Sequence, residues 1–184
     1  PQCCSPGQAT QPTWRWHDLD MMVSGEITYP TQDPDRAYDL LVDRTYREEV
    51  CRATGALTYN VSIETRDDGG ASVTVSRVLP ASASDAVKRL VGETVKVAQT
   101  EEWHAPGDSR TRTADLVIKI VGQPATMTGS IELRSSGASV VQTITGDLKV
   151  SVPFFGKKIE PEIADAILAA IAVEQEVATD RLSG

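Results

Sequence analysis

The chain has 184 residues, 40% of them hydrophobic and 24% charged, values at which one globular domain buries a continuous core. A net charge of -8 argues against a nucleic-acid footprint, which needs clustered Lys and Arg. No run approaches the ~20 apolar residues of a membrane-spanning helix, and three cysteines, Cys3, Cys4 and Cys51, are too few and too badly spaced for a disulfide framework.

Residues 1–22 lack periodicity and are rich in turn formers, from Pro1 through Gly7 to Pro12, and read as a tail on which Trp14 and Trp16 are the docking candidates. Met21 or Met22 would suit a natural start. The first residues also lack the basic start and apolar run of a secretory signal, so the expected location is cytoplasmic.

Ser24 to Tyr29 then reads as a first strand. Asp33 and Pro34 supply an N-cap and a proline at the first helical position, with Ala37, Leu40 and Leu41 at helical spacing behind them. A second short helix runs from about Tyr46 to Ala53 and stops at Gly55. The middle of the chain alternates with period two. Leu57, Tyr59, Val61 and Ile63 form one apolar face, Asp67 to Gly70 turn the chain, and Val73, Val75, Arg77 and Leu79 form the next. Ser82 or Ser84 caps a short helix ending at Gly92, and a strand from Thr94 places Val95, Val97, Gln99, Glu101 and Trp103 on one face. Pro106 to Asp108 turn it back. The remaining strands carry Ala114 to Ile120, Met127 to Leu133, and Val140, Ile144, Leu148, Val150 and Val152.

Facing apolar sides fix the hairpin registers. They put Val61 opposite Val75, Tyr59 opposite Arg77, Leu116 opposite Gly129 and Ala114 opposite Ile131. For the last hairpin they suggest Leu133 opposite Val140 and Gly129 opposite Ile144, and a further pairing sets Glu101 against Arg112. A final helix, Ile159 to Leu182, tolerates Pro161 because it lies in the first turn. Ile163, Ile167, Ala170, Ile171 and Val177 form its stripe, and Ala164, Leu168, Ala172 and Val173 widen it. So broad an apolar circumference requires a curved sheet wrapped around the helix, or a partner such as a second copy in a homodimer.

The order of strand, two short helices, six strands and one long helix resembles the START-like, or SRPBCC, helix-grip superfamily. Within it the stretches Tyr46-Arg47-Glu48-Glu49-Val50-Cys51-Arg52-Ala53, Val97 to Trp103, and Val150 to Pro153 with Gly156 to Glu160 resemble an uncharacterised actinobacterial family of unknown function. The resemblance implies an α+β fold, a seven-stranded curved antiparallel sheet around the C-terminal helix, formed by residues 23–184. It also implies a deep pocket of the kind the superfamily uses for lipids, polyketides and other hydrophobic molecules.

Polar residues on the inward face are the candidate site. Tyr59, Arg77, Gln99, Glu101, Arg112 and Gln142 sit among apolar strand neighbours, and a buried ion without a partner costs several kcal/mol. Such residues pair, reach water or touch a ligand; strand-end side chains reaching solvent are the plainer reading. Arg77 and Tyr59, with Gln99 and Glu101, are expected to hold the polar end of a small molecule whose apolar part meets Val75, Val97, Met127, Ile144, Ile167 and Ile171. Phe154 and Phe155 either gate a pocket mouth or staple the helix entry.

No cofactor motif, metal-ligand spacing or catalytic constellation is recognisable. His17 and His104 lie far from other ligands, Cys51 has no base nearby, and Asn60-Val61-Ser62 is a sequon without a secretory context. Three readings follow: a carrier or sensor of a hydrophobic molecule, a cyclase- or aromatase-type enzyme using the inward polar residues, or a non-catalytic interaction domain with a filled core.

Overall fold

A computed structural model describes residues 21–81, 88, 92–107, 111–152 and 156–183. Residues 1–20 of the expected tail, the aromatic pair Phe154 and Phe155, and the segment from Ser82 to Val91, Lys88 excepted, lie outside the described residues.

Strand β1 (Met21–Tyr29) begins three residues before the expected start at Ser24, so Met21 and Met22 belong to the sheet and not to the tail. Helices α1 (Pro34–Leu41) and α2 (Arg44–Ala53) follow, each started by an aspartate. The Asp33 carboxylate accepts from the Asp35 amide at 3.1 Å and that of Asp43 from the Tyr46 amide at 2.7 Å, satisfying amides that have no helical acceptor. Six strands come next: β2 (Thr58–Thr65), β3 (Ala71–Pro80), β4 (Thr94–Trp103), β5 (Arg112–Ile120), β6 (Ala125–Ser136) and β7 (Ser139–Val150). Helix α3 (Gly156–Ser183) closes the chain. It starts three residues earlier than expected, so Pro161 sits in its second turn rather than its first.

The seven strands form one antiparallel sheet in the order β1-β7-β6-β5-β4-β3-β2, with β1 and β2 at the edges. The expected registers of β2 with β3 and of β5 with β6 are present, with Val61 opposite Val75 and Leu116 opposite Gly129. Two others are corrected. In β6–β7, Leu133 faces Gln142 and Gly129 faces Gly146. The expected register makes Ser136 and Gly137 the two-residue loop, whereas the observed one shifts the loop to Gly137 and Ala138, with Gly137 at φ 63°. In β4–β5, Glu101 faces Leu116 rather than Arg112.

Glycine makes the sheet curl. A Cβ added at Gly129 would lie 1.9 Å from the Thr145 carbonyl oxygen, and one at Gly146 2.6 Å from the Met127 side chain. The two residues face each other across β6 and β7, and this pair lets the strands bend where side chains would hold them apart. Gly25 on β1 makes room for α3, since a Cβ there would meet Ile171 at 2.8 Å. Helix α3 packs on β1, β7 and α2. Gln175 clips it to the sheet edge by accepting from the Thr28 amide at 2.5 Å and donating to the Thr28 carbonyl at 2.8 Å.

Along β3 and β4 the inward face changes character. Val73, Val75, Glu101 and Trp103 are buried under α1 and α2, whereas Arg77, Leu79, Val95, Val97 and Gln99 are only half-buried. The two short helices fill one end of the grip and leave the other end open between sheet and α3.

Candidate functional site

At that open end lies a cavity of about 570 Å³, bounded by β3 to β7 on one side and α3 on the other. Its wall is mainly apolar: Leu116, Ile118, Met127, Ile144, Ile167 and Ile171 all line it. The α3 wall alternates isoleucines such as Ile163 and Ile167 with the small side chains of Ala166 and Ala170. A volume between roughly 300 and 1,000 Å³ suits a drug-sized molecule.

Polar groups converge at one side. Arg77 and Gln99, on neighbouring strands, line the cavity, as does Glu174 of α3. The Gln99 amide donates to Glu101 Oε1 at 2.7 Å, which turns its carbonyl oxygen toward Arg77 Nη2 at 3.5 Å. Behind the cavity wall Glu101 Oε2 accepts from Arg47 Nη2 at 2.5 Å and from the Trp103 indole at 2.8 Å. Arg47, 3% exposed, also donates to the Leu41 carbonyl and lies 3.6 Å from Glu174. Tyr46 donates to Glu174 at 3.3 Å, and Tyr29 donates to Gln142. A polar chain thus runs from the cavity, through the core, to the junction of α2, α3 and β1.

Electrostatics follow from burial. Desolvation pushes the Glu174 carboxyl above its ordinary value, outweighing the pull of Arg47. It likewise raises the Tyr29 and Tyr46 phenols, with the Glu174 charge adding to the effect, so both stay protonated donors. Burial also raises the Cys51 thiol against the pull of Arg77 and Arg47.

Seven expected contact residues, Arg77, Gln99, Val97, Met127, Ile144, Ile167 and Ile171, line the cavity; Tyr59, Val75 and Glu101 do not. Tyr59 does face Arg77, but its hydroxyl accepts from Arg52 at 2.7 Å near the sheet edge. Val75 is buried within the sheet, and Glu101 is consumed by Arg47. Arg112 instead bonds Asp35 at 2.8 and 3.1 Å and the Gly69 carbonyl at 2.9 Å, and stacks 4.1 Å above the Tyr38 ring. Tyr38 in turn meets Trp103 edge-on. This cluster ties α1 to the far end of the sheet.

Arg47 and Glu174 were not among the expected site residues. Both were visible as charges in phase with apolar positions: Arg47 three residues before Val50 and four before Cys51, and Glu174 three after Ile171 and four before Ala178.

The model for a family described as protein of unknown function (DUF2505) matches residues 25–182. The chain belongs to the DUF2505 family. No curated protein matches it. Solved structures of START-like proteins share the fold of this DUF2505 chain. A START superfamily protein from Mycobacterium smegmatis superposes with a TM-score of 0.55 at 13% identity, covering 88% of this chain and 98% of that one. The STAR-related lipid transfer protein of Xanthomonas axonopodis gives 0.56 at 10% identity, covering 88% and 85%. The Zhui aromatase/cyclase of Streptomyces sp. R1128 also gives 0.56 at 10% identity, covering 89% and 93%. At these identities the likeness is one of fold. Among the described residues, no helix is long and apolar enough to cross a membrane.

Proposed function

We propose that this DUF2505 protein binds a hydrophobic small molecule between its sheet and α3, as a carrier or sensor, with residues 23–184 as the binding unit. The observation that supports this most is the cavity itself: about 570 Å³, walled by aliphatic side chains, with Arg77 and Gln99 at one side to orient a polar end. Fold neighbours that include a lipid transfer protein and an aromatase/cyclase support it by analogy.

A cyclase- or aromatase-type enzyme using inward polar residues is the alternative; of the residues weighed for it, Arg77 lines the cavity, whereas Tyr59 and Glu101 do not. A filled core does not describe an interior with this much open space. Native mass spectrometry of the purified protein, with extraction of bound lipid, tests the proposal. A stoichiometric co-purifying molecule, or binding of fatty acyl or aromatic probes, is the expected result. Protein free of any bound species and without affinity for such probes would refute it.

A further inference from the structure

Arg77 is electrically unfinished. Its Nε is the only buried side-chain nitrogen or oxygen among the described residues without a hydrogen-bond partner. Its Nη2 has only the long 3.5 Å contact to Gln99. No carboxylate among the described residues forms an ion pair with it: Glu101 is held by Arg47, Gln99 and Trp103, and Glu174 is turned to Arg47 and Tyr46. Because Gln99 is itself oriented by Glu101, it presents a single carbonyl oxygen and cannot supply a negative charge.

Such a residue discriminates between occupants of the cavity. A neutral apolar molecule filling the space would strip water from the guanidinium and leave the charge buried alone, which is costly. A ligand that brings its own oxyanion removes that cost. Guanidinium presents a planar fork, and a carboxylate matches it in shape. The aliphatic wall of Leu116, Ile118, Met127, Ile144 and Ile167 then receives a hydrocarbon tail.

Building on the binding function proposed above, we infer that the cavity selects a single-chain carboxylate, a fatty-acid-like amphiphile whose head pairs with the free edge of Arg77. Glu174 does not oppose this, because its carboxyl is engaged by Arg47 and Tyr46 and its burial favours the neutral form.

The test is calorimetric titration of delipidated wild-type protein, Arg77→Met and Arg77→Lys with laurate, methyl laurate and dodecyl phosphate at neutral pH. Wild type should bind laurate about ten- to a hundredfold more tightly than the methyl ester, the range of a charge-assisted hydrogen-bonded pair. Arg77→Met should lose that preference while keeping its affinity for the ester, and Arg77→Lys should retain part of it. Equal binding of acid and ester by wild type, an unchanged preference in Arg77→Met, or much tighter dodecyl phosphate binding overturns the carboxylate assignment while leaving the cavity-binding function standing. Failure of all three probes to bind wild type defeats both.

Discussion

At Arg47 and Glu174 the interior carries charge that the fold must manage. Arg47 is buried against Glu101, with exposures of 3% and 1%, and removal of one member of such a pair typically costs about 3–5 kcal/mol because the other is stranded. Glu174 is different, since burial raises its pKa despite Arg47. The native state therefore binds more protons than the unfolded chain between the ordinary carboxylate pKa and the raised one. The contribution of Glu174 to stability is full below that window and is lost as pH rises through it. Arg47 and Tyr46 on α2, Tyr29 on β1, Glu101 on β4 and Arg77 on β3 are the groups that set this balance. Glu174→Gln, which imitates the neutral acid, should flatten the decline and be at least as stable as wild type at mildly alkaline pH. Urea unfolding across the pH range checks this; a variant clearly less stable than wild type at alkaline pH would show that the ionised carboxylate is the favoured form. At this scale sequence reading found the inward polar residues but misassigned their partners. Glu101 was paired with Arg112 because the pairing rule sees only strands, whereas its actual partner, Arg47, arrives from a helix.

Among the elements, the β6–β7 hairpin sets the curvature on which the cavity depends. Alternation showed that Met127, Gly129, Ile131 and Leu133 share a face, and that is so. It could not distinguish registers two residues apart, because both keep the same faces together. The observed pairing makes Gly137 and Ala138 the loop, and Gly129 falls opposite Gly146. Gly129→Ala should lower stability by at least about 2 kcal/mol, since the new methyl meets backbone that cannot move without disturbing the sheet. A substitution that leaves the urea midpoint unchanged would mean that the strands are less tightly apposed there. The caps of α1 and α2 show the opposite case. Asp33-Pro34 was legible from local chemistry alone, whereas the Asp43 cap was not drawn because no apolar repeat leads into it.

For the whole molecule, the order of elements was enough to give the helix-grip architecture, since seven alternating strands and one broad apolar helix have few ways to bury their faces together. The unfilled interior was legible only by resemblance. Whether a curved sheet and a helix leave space depends on summed side-chain volumes against curvature, and on how far α1 and α2 reach, none of which periodicity reports. The structure supplies the reason: two helices of only 8 and 10 residues cover one end of the inward face, and the cavity lies between the sheet and α3 beyond them. The most direct measurement is a fluorescence titration with the neutral probe N-phenylnaphthylamine, comparing wild type with Ala170→Trp, which places a bulky ring in the cavity. Wild type should show saturable one-to-one enhancement, and Ala170→Trp, still folded by circular dichroism, should show none. No saturable binding to wild type, or equal binding by the filled variant, would contradict a ligand site between sheet and helix.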